Sequence, residues 1–396
     1  MSRDAAGGLF WGLIIFLVVC ALLGAVNRGL WGLLIGAVSG GLLGAALGLA
    51  GGLLWARAHP STPPRAAVHI ILEAENARYV PGEPVSGYVQ LDAENTFRSR
   101  GLRVYFACRG FYAHDVVSEA GDAEPQFVRE SRQYLLQQDE LLPAGIVNRI
   151  SCATYPFRFQ IPIDALPTHH GYACAIRWFV HATLELDGRE PIKAQQELFV
   201  ESMPPLLSPM RERYQSEAAQ PDCQLILTLP TAVCAEGGMV EARIHISPLE
   251  PVVVQEVRAL LLRIENTPQG DDHTVYIDRW DPVSGRFHGQ RQPGGQGTTY
   301  VWLEDEAILV PPGPTELRHP LIQTVQLRIP AQWRPTIRTK DGQVLWKVGV
   351  VVARENAEDL RAFHEILVHT GAAEITELLD PQQAGAHEAI SDATTK

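Results

Sequence analysis

Two uncharged runs open the chain: Leu9 to Val26 and, after Asn27-Arg28, Leu30 to Ala56. About twenty helical residues span the hydrocarbon thickness of a bilayer, so each run is long enough to cross once. The pattern predicts a transmembrane helical hairpin over residues 1–57, with helices over about 9–26 and 30–55. A signal peptide is the competing reading of the first run, but a second, longer apolar run follows almost at once, which favours a retained hairpin. Beyond it the apolar period drops to two. Val85, Gly87, Val89 and Leu91 alternate with Ser86, Tyr88 and Gln90; Leu102 to Cys108 and Phe157 to Ile161 alternate likewise, and Ile176 to Leu186 reads as a further strand. No long 3.6-residue period interrupts them, so the expected class is all-β, built from antiparallel sandwiches.

One set of residues occurs twice. Ile161-Pro162, Pro167-Thr168, Ile176, Trp178 and Val180 return 168 positions later as Ile329-Pro330, Pro335-Thr336, Val344, Trp346 and Val348. Upstream, Gly82, Val85, Val89, Leu91, Leu102 and Arg103 return 155 positions later as Gly237, Val240, Ile244, Ile246, Val257 and Arg258. The soluble part is therefore a duplicated module with an insertion in the second copy. Expected boundaries are a Pro-rich spacer at 58–67, sandwiches at 68–200 and 223–370, each with its own core, a linker at 201–222 and a disordered tail at 371–396. The insertion, rich in glycine between Asp281 and Gly297, reads as an exposed hairpin loop.

Within the second apolar run, Gly32, Gly36, Gly40, Gly44, Gly48 and Gly52 fall every fourth residue. On a helix they form a bare groove that lets another helix approach closely, either the first run or another copy of the chain. Trp11, Trp31 and Trp55 stand at the predicted interfaces. Arg3, Arg57 and Arg65 flank the hairpin while only Arg28 lies in its turn, which places both ends, and the sandwiches, in the cytoplasm.

A net charge of −12 argues against nucleic acid as a partner. The six cysteines form no C-x-x-C pair and none recurs at either offset, the pattern of reduced thiols. No nucleophile elbow, P-loop or His-Glu-x-x-His motif is present. His169-His170 reads as a solvated turn and Asp271-Asp272-His273 as a hairpin tip. No catalytic residue, metal or cofactor is expected.

Tyr79, Pro81, Gly82, Glu83, Val85, Gly87 and Val89 resemble the N-terminal pattern of the arrestin-like superfamily. Phe157, Phe159, Pro162, Pro167 and Thr168 resemble its later signature, although Trp178 stands where a tyrosine is usual; Pro330, Pro335, Thr336 and Trp346 resemble the C-terminal domain. The resemblance implies two tandem arrestin-like β-sandwiches. Physically, Pro81-Gly82 suits a turn, Pro162 and Pro330 end strands, and Trp178 and Trp346 suit the space between sheets. Pro204-Pro205-Leu206-Leu207 lacks the tyrosine of a Pro-Pro-x-Tyr motif, leaving ubiquitin-ligase recruitment unsupported.

The leading expectation is a non-enzymatic, membrane-anchored adaptor or scaffold. Its partners are the bilayer, membrane-associated proteins and a second copy through the glycine face. The alternative is an envelope structural protein with extracytoplasmic sandwiches that bind glycan or lipid. Gly40→Leu and Gly44→Leu should fill the groove and weaken helix association, read as loss of detergent-resistant oligomer or of cross-links within the hairpin. Wild-type behaviour of both variants would make the glycine spacing incidental.

Overall fold

A computed structural model describes residues 64–116, 126–204, 214–281, 286–355 and 357–371. The expected hairpin with its six glycines, and the expected disordered tail beyond Gly371, lie outside the described residues. Among the described residues the structure is all-β, and no helix is long and apolar enough to cross a membrane.

The first module contains β1 (Ala66–Leu72), β2 (Arg78–Tyr79), β3 (Pro84–Ala93), β4 (Phe97–Val116), β5 (Gln126–Leu142), β6 (Gly145–Val147), β7 (Ile150–Gln160), β8 (His169–His170), β9 (Cys174–Leu186) and β10 (Ile192–Val200). A three-stranded sheet, β1-β3-β7, faces a second sheet ordered β2-β10-β9-β4-β5, with β6 on β4 and β8 on β9. The period-two pattern explains the layering. Val85, Val89, Leu91 and Ala93 point inward from β3, against Leu102, Val104 and Phe106 of β4 and Ile176, Trp178 and Val180 of β9.

The second module contains β11 (Tyr214–Gln220), β12 (Cys223–Leu229), β13 (Val233–Ala235), β14 (Met239–Pro248), β15 (Val252–Thr267), β16 (His273–Asp281), β17 (Arg286–Pro293), β18 (Thr298–Val310), β19 (Thr315–Leu317), β20 (Leu321–Arg328), β21 (Ile337–Arg338), β22 (Gln343–Arg354) and β23 (Leu360–His369). One sheet runs β11-β12-β14-β20 and the other β13-β23-β22-β15-β18-β16-β17. Two expectations need correcting. Tyr214–Gln220, read as linker, is a strand that pairs with β12 along its whole length. Its apolar content is low because it is an edge strand. Arg286–Pro293, read as loop, pairs with β16 as half of a hairpin; its glycine-rich composition hid the ladder.

The repeat is legible atom by atom. Trp178 Nε1 donates to the Leu166 carbonyl at 2.9 Å, and Trp346 Nε1 to the Arg334 carbonyl at 3.0 Å. Thr168 N donates to Val200 O and Thr336 N to Val368 O, each at 2.8 Å. Gly82 (φ 88°) and Gly237 (φ 77°) turn the chain into β3 and β14 in the left-handed region, where a side chain is strained. Glu83 accepts the Val80 N–H at 2.9 Å across the Pro81-Gly82 turn. A methyl at Gly87 would collide with the Ile71 carbonyl oxygen, so β1 lies against β3 only because that position is bare. Pro162 and Pro330 each follow a fully buried isoleucine, Ile161 and Ile329, just past the ends of β7 and β20, where no further ladder hydrogen bond is required.

The two cores are not wholly separate. Ile337 and Val344 of the second module pack into the first core. Trp178 is 1% exposed and Trp346 0%. Replacing either by Ala should cost roughly 3–5 kcal/mol, the usual range for removing a large buried aromatic. Urea unfolding followed by near-UV circular dichroism measures it, and an unchanged midpoint would show that the indole carries no core packing.

Candidate functional site at the domain junction

Two loops meet where the modules abut, one flanking β8 and one preceding β21. His170 N donates to the Trp333 carbonyl at 2.7 Å, His169 Nδ1 to the Pro335 carbonyl at 3.0 Å, and Arg334 Nε to the His170 carbonyl at 3.3 Å. Trp333 sits at φ 54°, a region that non-glycine residues seldom occupy. The Glu236 carboxylate holds it there by accepting the N–H groups of Trp333, at 3.0 Å, and Arg334. The Trp333 ring packs on Phe199 of the first module, and Arg78 lies 5.2 Å from its centroid.

Beside these loops lies a buried charge network. The Glu265 carboxylate accepts three consecutive backbone N–H groups of the first module, from Tyr172 (3.2 Å), Ala173 (2.6 Å) and Cys174 (3.0 Å). Arg263 pairs with Glu265, donates to Glu304 at 2.6 Å and stacks over Trp302 at 4.1 Å. Arg334 lies 3.6 Å from the same Glu304. Gly171 makes room, since a Cβ there would fall 2.6 Å from His169 Nε2 and 2.8 Å from Glu265 Oε1.

Three further contacts flank this centre. Tyr112 Oη and Thr339 Oγ1 lie 3.0 Å apart, and Tyr134 donates to Asp341 at 3.0 Å. Asp115 meets Arg291 at 2.9 Å and His273 at 3.4 Å. Ser202 N donates to Thr370 Oγ1 and Thr370 N to Ser202 Oγ, both at 2.8 Å. Ser202 and Thr370 are one repeat apart, so equivalent positions of the two modules bond to each other reciprocally.

His169 is fully buried rather than solvated, and His170 is half-buried against Glu197 at 3.2 Å. The repeat places Arg338 opposite Glu365 in the second module, where His170 and Glu197 stand in the first. His273, expected at an exposed tip, is buried against the first module. Both departures share one cause: these turns are covered by the other module, which local pattern does not register.

Burial, with Arg263 next, pushes His169 well below the usual histidine range; its Nδ1 donates to Pro335 and its Nε2 has no partner. Burial pushes the Glu236 carboxyl up to about 7 despite the N–H groups it accepts. Burial lowers the Arg263 guanidinium to about 10, still charged at neutral pH, and pushes the Cys108 and Cys174 thiols up to about 12. Among the described residues no three His, Cys, Asp or Glu side chains group to hold a metal ion. The junction's hydrogen bonds end on carbonyls, carboxylates and N–H groups of the protein itself, an arrangement suited to clamping two modules together.

Residues 68–203 match the family model for the arrestin (or S-antigen) N-terminal domain. That match supports kinship with the arrestin-like superfamily. No curated protein matches the chain. The arrestin-like match ends just past β10, so the second module's likeness to the first stands on the repeat and its shared hydrogen bonds. Arrestin-family proteins are generally non-enzymatic adaptors, and an arrestin-like domain suggests a protein-binding role of that kind.

Pro81, Gly82, Glu83 and Gly87 lie around the turn into β3, and Pro162 just beyond β7. Pro335 reaches the junction directly through its carbonyl, and Trp346 reaches it through Arg334. Pro167 lies next to Leu166, the acceptor of the Trp178 indole. Pro330 follows Ile329, whose carbonyl takes the Gly237 N–H. Sequence reasoning passed over Arg263, Glu265, Glu304 and Glu236. A signal for the first two exists: Val257, Ala259 and Leu261 set the inward phase of β15, and Arg263 and Glu265 continue it.

The Glu236 carboxyl titrates higher in the folded chain (about 7) than in the unfolded one (4.5). Its contribution is therefore fully present below pH 4.5 and is lost as pH rises through 7. Glu236→Gln should remove on the order of 2 kcal/mol of the stability difference between pH 5 and pH 7.5. Urea unfolding of variant and wild type at both pH values reads it, and parallel pH profiles would refute the assignment.

Proposed function

We propose that this chain is a membrane-anchored, non-enzymatic adaptor or scaffold whose two arrestin-like sandwiches take up extended segments of membrane-associated proteins on the cytoplasmic side. The match over residues 68–203 supports the adaptor class. The uncharged runs before Arg57 support anchoring. The five described cysteines are free thiols, which favours the cytoplasmic side over an extracytoplasmic envelope role.

The observation that carries the binding mode is the edge strand β1. Its sequence, AAVHIIL, has no charge, proline or glycine, and among the described residues it pairs with β3 alone. Three other edge strands carry charge: β5 has Arg129, Glu130, Arg132, Asp139 and Glu140, β11 has Glu217, and β20 ends on Arg328. An unguarded edge offers main-chain donors and acceptors to an incoming strand, with alternate side chains supplying specificity.

A photo-cross-linking residue at His69, exposed on β1, should give a few discrete protein adducts in cells, and the same residue at Arg132 on β5 should give none. Adducts from Arg132 with none from His69 would remove β1 as the docking edge. Reproducible catalytic turnover with no protein adduct at either position would remove the adaptor reading.

A further inference from the structure

The two far ends of the duplicated fold differ in charge. Register places the start of β1, the end of β3 and the start of β7 at one end of their sheet, through Ala66↔Ala93 and Ala93↔Ile150. The start of β4, β6 and the end of β9 come to the same end, through Phe97↔Val147 and Ser99↔Leu186. The junction lies at the other end of β4, near Tyr112, roughly 45 Å away at 3.3 Å per residue. This outer tip exposes Arg65, Arg98, Arg100, Arg149 and Arg189 together with Glu94, Asp187 and Glu190, and Asp92 lies half-buried beside them. Arg65 and Arg100 are answered by Glu94 and Asp187 at 3.7 and 3.1 Å. Among the described residues no carboxylate pairs with Arg98, Arg149 or Arg189. Between these cations stand Ile146, 72% exposed and opposite Arg98 in the ladder, and Ile150, 40% exposed.

The corresponding end of the second module is acidic. It carries Asp222, Glu250, Glu316, Glu355, Glu358 and Asp359 around the β11–β12, β14–β15 and β22–β23 turns, against Arg318, Arg354 and Arg361. The same loops of the same fold thus differ in charge balance, on a chain whose net charge is −12. Only the first module's tip, with its unpaired arginines, sits where the chain leaves the apolar runs: residues 57–65 separate the last apolar residue from β1. Nine residues reach at most about 30 Å when extended, so an anchored chain keeps this tip near the headgroups.

We propose that the outer tip of the first module is a lipid-facing surface: Arg98, Arg149 and Arg189 meet anionic headgroups, and Ile146 and Ile150 enter the interfacial layer. Exposed cations flanking exposed aliphatic side chains match the two attractions such a surface offers, charge and apolar burial. The proposal rests on the anchoring reading for the tip's nearness to a bilayer. Its consequence is that the first module is held tip-down, with the junction and the acidic end directed away from the membrane.

Cys152 supplies the probe, since it is the exposed thiol among the described cysteines and lies in β7 beside Ile150. The test uses the full chain carrying Cys20→Ser, labelled at Cys152 with a fluorescent donor. It is mixed with vesicles of phosphatidylcholine, alone or with about a third phosphatidylserine, that carry a headgroup acceptor. Energy transfer should rise with phosphatidylserine and fall as salt approaches about 0.5 M. In R98E/R149E/R189E, whose exposed side chains leave the core intact, the phosphatidylserine-dependent part should drop about tenfold or more. Transfer indifferent to phosphatidylserine and to the charge reversal overturns the proposal. Retention on phosphatidylcholine alone at high salt reports anchoring separately. If retention fails, anchoring falls while the phosphatidylserine dependence on added vesicles still decides the tip.

Discussion

One carboxylate organises the relation between the two modules. Glu265 reaches from the second module and accepts three successive N–H groups of the first, while Arg263 closes the remaining side. Both charges are almost wholly removed from water, which is tolerable only because each meets a full set of partners. Removing one member would leave the other buried and uncompensated. The modules are therefore joined by an arrangement with one good geometry and many poor ones, in contrast to an apolar seam that could slide. Glu304, Arg334 and the loop around Trp333 inherit their positions from this centre.

Duplication explains the plan and its exceptions. Matched tryptophans, threonines and strand-ending prolines recur because each module must close the same kind of sandwich. The copies diverge where they face each other. His169 occupies the place that Ile337 takes in the second module, one buried polar ring against one buried aliphatic chain, and its neighbours are Arg263 and Arg334.

The all-β class was legible in the sequence because a half-buried strand writes its environment into every second residue. Hydrogen bonds at the 168-residue offset follow the same pairs that the repeat identifies. What sequence did not display was contact between modules. His169-His170 and His273 look like polar turns because their own neighbours in the chain are polar; their burial comes from residues more than 150 positions away. Strand β11 escaped notice for a related reason, since an edge strand of alternating small and polar residues carries little hydrophobic signal. Arg263 and Glu265 were legible in principle, as charges in the inward phase of β15.

The reciprocal pair of Ser202 and Thr370 has a mechanical side. Each residue follows the last strand of its module, and two hydrogen bonds at 2.8 Å tie them together. Strand β1 begins at the far tip, and β23 ends at the junction. Tension applied between Ala66 and Gly371 therefore has a short path, through Thr370 to Ser202 and then along the first module. The second sandwich lies beside that path. Load along that path passes between the modules through the Ser202–Thr370 bonds.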